Sequence, residues 1–264
     1  MNVTLITGAS GGIGQALAYK LAERKHNLLL VARSADKLEK LCTELTQNFG
    51  IQAQYIDADL TKPDAAAAVF AETTKRGLII DWLINNAGIG AGGEFADLPL
   101  QSQLAMMQLN MSSLVALTHY FLPAMRTRKN GTLINVASMA AFIPSPYMAV
   151  YAATKVFVRS FTEALYEECT PHNVRVVLLC PGLTKTNFMD AAGLANASGK
   201  ALTDGAPLQT PDQVADEALK GIDAGKRMVV SGAVNKWMAK LTALAPNSVS
   251  ASYIAKSYRS RLKL

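Results

Sequence analysis

Short apolar runs recur along the chain and alternate with segments long enough to form helices. The runs lie at 3–6, 28–31, 53–56, 82–84, 132–136, 174–179 and 228–230. This alternation is typical of βαβ units. Several runs are apolar at every position, which favours a parallel sheet covered by helices on both faces. The pattern therefore predicts a doubly wound α/β fold with a parallel sheet.

Length and composition favour one domain. The chain has 264 residues, half of which are apolar, and this is enough to bury a sizeable core. No Pro- or Ser-rich linker, low-complexity stretch or internal repeat interrupts the alternation. We therefore expect a single Rossmann-type domain over 1–264.

Charge is distributed unevenly along the chain. The formal net charge is +6, and residues 224–264 hold eight of the 26 basic residues and none of the 20 acidic ones. The rest of the chain is close to neutral. Because no basic motif with base-reading or stacking residues is present, we do not expect a nucleic-acid partner.

Cysteine and histidine positions indicate neither disulfides nor a metal site. The cysteines, Cys42, Cys169 and Cys180, are far apart, and the three histidines show no ligand spacing. The first residues lack the features of a signal peptide, and no apolar run approaches the roughly 20 residues that span a bilayer. These features predict a cytoplasmic protein with reduced thiols.

A glycine-rich loop joins the first predicted strand to a helical stretch. Glycines let the backbone approach a pyrophosphate closely, and the free N–H groups at the helix start favour an anion. A purely structural turn is the alternative, since the spacing differs from the common dinucleotide fingerprint. The loop residues that we expect at the phosphates are Gly8, Ser10, Gly12, Ile13 and Gly14.

Two further positions follow predicted strands and point to the adenosine half of a dinucleotide. The second strand ends in Arg33 where an NAD site usually carries a carboxylate, and a guanidinium attracts a 2′-phosphate. Arg33 therefore favours NADP(H), with a solvated strand-end arginine as the alternative. After the third strand, Asp59 could accept a hydrogen bond from adenine beside Leu60, or serve as a turn residue.

Tyr151 and Lys155 are four residues apart at the start of a predicted helix, so their side chains project from one face. A neighbouring ammonium and a nicotinium cation are both expected to stabilise the phenolate, which lowers the pKa of the tyrosine and makes it a usable acid or base. Ser138 follows the fifth strand, where its hydroxyl can polarise a substrate oxygen. A tyrosine and lysine paired on a helix surface are the alternative interpretation.

The chain resembles the single-domain branch of the short-chain dehydrogenase/reductase family over 3–230. The motifs that carry the resemblance are TGASGGIG at 7–14, ADLT at 58–61, NNAG at 85–88, Ser138, YAATK at 151–155 and PGLTKT at 181–186. The stretch at 28–33, followed by Asp36 and Lys37, further resembles the NADP-preferring members. Family members are often dimers or tetramers, so the resemblance also implies a homo-oligomer.

The resemblance implies a proton relay in which Tyr151 donates the proton, Ser138 orients the carbonyl and Asn110 holds a water next to Lys155. Nothing in the composition or periodicity singles out Asn110, for which a helix-interior residue bonded to a backbone carbonyl is the alternative. The implied cofactor contacts beyond the glycine loop are Asn86, Ala87, Gly88, Tyr151, Lys155, Pro181, Gly182, Thr184 and Thr186.

The function expected from these features is NADPH-dependent reduction of an apolar, lipid-like ketone or aldehyde. Residues 187–207 correspond to the family's substrate lid, and apolar residues there favour a hydrophobic substrate. A 3-oxoacyl thioester reductase is the enzymatic alternative. A non-catalytic NADP-binding sensor or scaffold is the alternative of another class.

The C-terminal segment, about 233–264, is predicted to be helical and basic. Val234, Trp237, Met238 and Leu241 form an apolar stripe at helical spacing. A stripe packed on the core or on another subunit is the commoner arrangement. Weak contact with an anionic membrane surface is the alternative.

Overall fold

The computed structural model describes residues 1–188, 208–242 and 247–262. Seven parallel strands form one sheet in the order β3-β2-β1-β4-β5-β6-β7. The strands are β1 (Asn2–Thr7), β2 (Leu28–Ala32), β3 (Ala53–Asp57), β4 (Ile79–Asn85), β5 (Gly131–Val136), β6 (Val174–Cys180) and β7 (Met228–Val230). Each predicted apolar run lies within one of them, and the predicted doubly wound fold is confirmed.

Helices connect the strands and cover both faces of the sheet. They are α1 (Gly12–Glu23), α2 (Ala35–Phe49), α3 (Ala65–Lys75), α4 (Leu100–Met107), α5 (Ser113–Arg128), α6 (Ala149–Cys169), α7 (Pro211–Asp223), α8 (Ala233–Thr242) and α9 (Asn247–Leu262). A π-helical turn, Gln108–Ser112, joins α4 to α5. Among the described residues, no helix has both the length and the apolar character needed to cross a bilayer.

Strand β2 explains why the sheet has two apolar faces. Its five side chains are all buried. Leu28 and Leu30 pack in the cluster formed with α1, α2 and α7, whereas Leu29 and Val31 pack in the cluster formed with α3, α5 and α6. Successive side chains of a strand point to opposite faces, so a run that is apolar throughout requires helices on both sides.

Buried amides join the centre of the sheet to the helices that carry the later motifs. Asn85 on β4 donates to Asn135 on β5 at 2.9 Å and to Thr118 on α5 at 3.1 Å. Asn135 in turn donates to Thr162 on α6 at 3.0 Å. Because an unpaired polar group in this interior would be costly, the network favours one alignment of α5 and α6 on the sheet.

The strand order reverses between β1 and β4: the chain runs from β1 outwards to β3 on one side and from β4 outwards to β7 on the other. In doubly wound sheets, ligands bind beyond the carboxyl ends of the strands at this position. The glycine loop, Asn86 and Ser138 all follow strands at this edge. Of the segment interpreted as a substrate lid, 187–207, only residues 187 and 188 lie among the described residues.

Candidate active site

The glycine loop adopts a conformation that suits an anion. Gly8 has φ +66° and Gly12 has φ +56°, values that side chains with a Cβ rarely adopt. Helix α1 begins at Gly12, its first turn contains no acidic residue, and no side chain among the described residues caps it. The uncapped N–H groups and the positive end of the helix dipole therefore lie beside the loop.

Asn86 fixes the glycine loop against the end of β4. Its Nδ2 donates to the carbonyl oxygens of Thr7 at 2.8 Å and Gly8 at 3.3 Å. The Thr7 hydroxyl accepts from the backbone N–H groups of Asn86 and Ala87, both at 3.0 Å. A Cβ on Gly14 would lie 2.4 Å from the Gly8 oxygen. The strand, loop and helix thus pack too closely for any residue but glycine at position 14.

Thr7 was not among the predicted site residues. Thr7 is the first residue of the motif at 7–14, but the motif does not show which hydrogen bonds its side chain makes. Its hydroxyl also donates to the Ile84 carbonyl at 3.3 Å. This one side chain therefore connects β1 to the turn that follows β4.

Arg33 and Asp59 lie after neighbouring strands, β2 and β3. Arg33 is exposed, and its guanidinium forms no hydrogen bond or ion pair with the described part of the chain. Asp59 Oδ1 accepts from the Thr61 N–H at 3.1 Å and from the Thr61 hydroxyl at 2.7 Å. These hydrogen bonds lower the pKa of Asp59, and the charge of Arg33 acts in the same direction. Asp59 is therefore a turn residue, which is one of the two interpretations that we considered from the sequence. The side chain of the next residue, Leu60, is buried.

Tyr151 and Lys155 are buried, so the interpretation of a surface pair on the helix is wrong. Their exposed fractions are 9% and 5%. Lys155 Nζ lies 5.7 Å from the centroid of the Tyr151 ring and donates to the Val136 carbonyl at 3.0 Å. Helix α6 thus brings an ammonium and a phenol together at the end of β5.

The pKa of Tyr151 differs from the sequence-based expectation. Burial raises it, and the neighbouring Ser138 hydroxyl acts in the opposite direction. We expected the Lys155 ammonium to lower this pKa, but desolvation of the phenolate is the larger effect in this structure. Tyr151 therefore keeps its proton at neutral pH and can act as a proton donor.

Burial also acts on Lys155. It lowers the pKa of the ammonium from 10.5 to about 8, with the nearby Cys180 acting weakly in the other direction. A cation held in a low-dielectric site shifts towards its neutral form. Lys155 is therefore a group whose proton can be exchanged near neutral pH.

Asn110 lies on the π-helical turn, a feature that often occurs at functional sites. Its Oδ1 accepts from the Ile89 N–H at 3.0 Å, and its Nδ2 donates to the Ile89 carbonyl at 2.9 Å and to Thr154 Oγ1 at 3.0 Å. A Cβ on Gly88 would meet both Asn110 Oδ1 at 3.3 Å and Lys155 Nζ at 3.4 Å. Asn110 and Lys155 thus converge on the turn after β4.

Thr154 completes this arrangement and was also missed. It accepts from Asn110 and donates to the Tyr151 carbonyl at 2.7 Å. In the sequence, Thr154 is noticeable only as a member of the motif at 151–155. Its contact partner lies 44 residues away, so the spacing along the chain could not reveal the bond.

Ser138 and Phe188 approach Tyr151 from different segments. Ser138 begins a 3-10 turn, and its Oγ accepts from the Ala140 N–H at 3.1 Å. The Phe188 ring lies 5.5 Å from the Tyr151 ring, centroid to centroid. A Cβ on Gly90 would lie 2.7 Å from Phe188 Cζ. The absence of a side chain at Gly90 therefore lets Phe188 cover the tyrosine with an apolar surface.

The segment after β6 contacts both the glycine loop and the Ser138 turn. The Pro181 carbonyl accepts from the Met139 N–H at 2.9 Å. The Thr184 hydroxyl donates to the Gly182 carbonyl at 3.1 Å, and Thr186 Cγ2 would lie 3.1 Å from a Cβ on Gly12. These residues therefore lie at the same edge of the sheet as the glycine loop.

Asn235 contacts the site, although nothing in the sequence singled it out. A Cβ on Gly182 would lie 2.0 Å from Asn235 Nδ2, which donates to the Ser231 carbonyl at 2.7 Å. Gly182 is therefore glycine because α8 packs directly on it. Any substitution there would displace the turn that follows β6.

The structure thus forms two groups from the predicted residues. Tyr151, Lys155, Asn110 and Ser138 meet around the carboxyl ends of β4 and β5, whereas Arg33 and Asp59 lie beyond β2 and β3 at the other side of the reversal. The glycine loop lies between the groups. A long anionic molecule with a reactive end near Tyr151 suits this layout.

Comparison with known proteins finds dehydrogenases and reductases. A family model described as short chain dehydrogenase matches residues 2–196. The 7beta-hydroxysteroid dehydrogenase of Collinsella aerofaciens is 31% identical over 233 residues, which are 88% of this chain and 86% of that relative. The very-long-chain 3-oxoacyl-CoA reductase of Phaeosphaeria nodorum is 32% identical over 176 residues, which are 65% of this chain and 52% of that relative.

A solved structure is similar over most of its length. The short-chain dehydrogenase from Sphingobium yanoikuyae, determined in complex with NADPH, has a TM-score of 0.82 and 30% sequence identity. The similarity covers 92% of this chain and 93% of that chain. Most of this chain therefore has a structural counterpart in that dehydrogenase.

The buried ammonium predicts a stability that depends on pH. Below pH 8 the folded protein holds the charged form of Lys155, and between about pH 8 and 10.5 the unfolded state binds more protons than the folded state. The wild type should therefore gain stability over this range relative to Lys155→Met. The difference between their free energies of unfolding should change by on the order of 3 kcal/mol between pH 7 and 10.5. Urea unfolding at both pH values measures it.

Lys40→Met is the matched control, because the Lys40 side chain is 80% exposed. Its free energy of unfolding relative to the wild type should change little with pH. A Lys155→Met difference that is the same at both pH values would contradict the buried-cation interpretation.

Proposed function

The chain belongs to the short-chain dehydrogenase family and is an oxidoreductase acting on CH–OH groups, and from this premise we propose that it uses NADPH to reduce an apolar ketone or aldehyde to an alcohol. The observation that carries the proposal is the buried group of Tyr151, Lys155 and Asn110 beside the glycine loop. A phenol that keeps its proton, next to an ammonium and an anion-binding helix start, suits proton donation to a carbonyl oxygen.

The residues present fit a dinucleotide phosphate. The positive φ values of Gly8 and Gly12 and the uncapped start of α1 suit the pyrophosphate. Arg33, exposed and without an ion-pair partner in the described chain, would hold the 2′-phosphate. Asp59 would lie near the adenine, and Lys155 would bind the ribose next to the nicotinamide. When bound, NADPH supplies the hydride that reduces the carbonyl carbon.

The protein's own residues supply the proton and its path. In this proposal Tyr151 donates the hydroxyl proton to the substrate oxygen as that oxygen gains negative charge, and Ser138 holds the same oxygen by a hydrogen bond. Lys155, whose pKa is about 8, returns a proton towards Tyr151. Asn110 Oδ1 retains a second lone pair with which to hold a water beside Lys155.

Apolar surroundings support an apolar substrate. Phe188 covers the ring of Tyr151, and Ile143 and Pro146 belong to the segment between Ser138 and α6. The similarity to a 7beta-hydroxysteroid dehydrogenase supports a bulky alicyclic ketone. The similarity to a very-long-chain 3-oxoacyl-CoA reductase supports a 3-oxoacyl thioester as the second candidate. A sensor or scaffold is less well supported, because Ser138, Tyr151 and Lys155 are all retained.

Removing one hydroxyl tests the reaction. Tyr151→Phe keeps the ring that packs on Phe188 but loses the proton donor, so kcat should fall by roughly 10²–10⁴-fold while NADPH binding changes little. NADPH oxidation with a panel of steroid ketones, aldehydes and a 3-oxoacyl thioester measures kcat, and nucleotide fluorescence measures binding. Tyr166→Phe, near the other end of α6, is the matched control and should retain activity. NADPH binding by the wild type without turnover of any carbonyl would instead favour a sensor or scaffold.

Arg33 tests the choice of cofactor. Arg33→Gln removes the charge proposed to face the 2′-phosphate, so the KM for NADPH should rise by roughly 10–100-fold while the KM for NADH stays nearly constant. Initial rates at varied nucleotide concentration check this. Lys40→Gln removes a charge further along α2 and should leave both values close to those of the wild type. Equal changes for the two nucleotides would refute the assignment of Arg33 to the 2′-phosphate.

We also infer a homo-oligomer, because α4 and α6 expose large apolar side chains. Leu100, Leu104 and Met107 are 65%, 47% and 39% exposed and lie on one face of α4. On α6, Val156 and Phe157 are 47% and 38% exposed. Exposed apolar side chains concentrated on two neighbouring helices are typical of a subunit interface.

Charges placed on this face should separate the subunits. Leu104→Glu combined with Phe157→Glu would bring like charges together in a two-fold contact, so the sedimenting mass should fall towards that of one chain. Analytical ultracentrifugation measures the mass. Ile79→Glu, at an apolar residue that is 40% exposed at the start of β4, should leave it unchanged. A wild type that already sediments as one chain would show that this face is not a subunit interface.

A further inference from the structure

Helix α8 presents its large apolar side chains to the outside. Val234, Trp237, Met238 and Leu241 are 51%, 68%, 45% and 60% exposed. Their spacing of three, four and seven residues puts them on one face of the helix. Thus the arrangement in which this stripe packs on the core does not occur. The side that faces the protein carries small or polar residues instead, namely Asn235 and Ala239.

The chain around this stripe is rich in basic residues. Lys240 Nζ lies 5.8 Å from the Trp237 ring centroid, and Lys256 and Arg259 on α9 are exposed. Residues 224–264 contain eight basic residues and no acidic residue. Lys236 pairs with the Glu217 carboxylate at 2.7 Å, and Lys240 has no such partner among the described residues. The segment therefore combines an exposed apolar stripe with a local excess of positive charge.

An apolar groove lies next to α8. Its volume is about 990 Å³, and it lies between α8 and the segment that joins Ser138 to Tyr151. Its described lining includes Ala239 and Thr242 on one wall and Phe142, Ile143, Pro144 and Pro146 on the other. Arg159 is the charged residue of that lining, and it pairs with Glu163 at 3.1 Å. The protein thus has a second apolar surface at α8.

From these features we propose that α8 and the basic residues around it dock the protein on the surface of an anionic membrane. Tryptophan, with an apolar ring and a polar N–H, suits the boundary between acyl chains and headgroups, and lysine suits the phosphates. An apolar stripe flanked by lysines is the pattern of helices that lie in the plane of a bilayer. The docking is peripheral, since no described helix can span the bilayer.

Charge distinguishes this occupant from a second copy of the chain. A two-fold contact through α8 would bring the Lys240 ammonium groups of the two copies towards each other, with no acidic residue on α8 to offset them. Like charges brought together oppose association. An anionic lipid surface supplies the missing negative charge and also covers the apolar stripe. An anionic bilayer therefore accounts for both the exposed apolar stripe and the basic residues of the segment.

Vesicle co-sedimentation tests the proposal without relying on enzyme activity. The full-length protein should bind vesicles that contain phosphatidylglycerol and phosphatidylcholine, and binding to phosphatidylcholine alone should be at least roughly tenfold weaker. Raising the salt concentration should weaken the binding, because exposed charges are screened. No binding to the anionic vesicles would overturn the proposal.

Two variants separate the apolar and the electrostatic contributions. Trp237→Gln combined with Leu241→Gln should weaken binding by roughly tenfold or more, and so should Lys240→Gln combined with Lys256→Gln. Phe95→Gln is the matched control at an aromatic side chain that is 64% exposed elsewhere, and it should bind like the wild type. NADPH binding by each variant checks that the fold is intact.

The same variants distinguish a membrane from a protein partner. If the wild type does not bind vesicles, and if the Trp237→Gln, Leu241→Gln variant sediments with a lower mass than the wild type, the stripe is a subunit interface and the proposal is wrong. If the stripe variant binds anionic vesicles as tightly as the wild type, α8 is not the docking helix, and the proposal is again wrong.

Discussion

The burial of the Lys155 ammonium is the constraint on which the site depends. A buried cation requires hydrogen-bond acceptors to offset the cost of its desolvation. Here the Val136 carbonyl at the end of β5 accepts a hydrogen bond from Lys155 Nζ at 3.0 Å. Helix α6 must therefore dock against the end of β5 at one height and in one rotation. That docking also places Tyr151, one helical turn earlier, at the edge of the sheet.

Neighbouring polar contacts maintain this docking from both sides. Asn110 holds Ile89 with its amide and reaches Thr154 on α6, so the turn after β4 and the start of α6 are joined through one side chain. Deeper in the sheet, Asn85 and Asn135 join β4 and β5 to α5 and α6. Because a buried amide that loses its partner is costly, these bonds resist sliding of the helices. The result is a fixed arrangement of these groups at the carboxyl ends of β4 and β5.

The outer surface has two exposed apolar patches that differ in the charge of the surrounding chain. Exposed apolar side chains on α4 and α6 lie in a part of the chain that is close to neutral, whereas those on α8 lie in a segment without acidic residues. Apolar area alone favours association with any apolar partner. The charge around each patch therefore separates a surface suited to another copy of the chain from one suited to an anionic bilayer.

The sequence by itself determined the fold class, and it predicted the glycine loop and the pair of Tyr151 and Lys155 in the candidate site. Apolar runs at strand spacing, the glycine loop and the pair four residues apart on a helix depend on local periodicity, which the chain carries in its order of residues. Tertiary structure alone decided what depends on distant neighbours. Thr154 meets Asn110 from 44 residues away, Asn235 fills the space left by Gly182, and burial rather than Lys155 sets the direction of the Tyr151 pKa. The outward stripe of α8 belongs to the same class, because periodicity shows that a helix has an apolar face but not what lies against it.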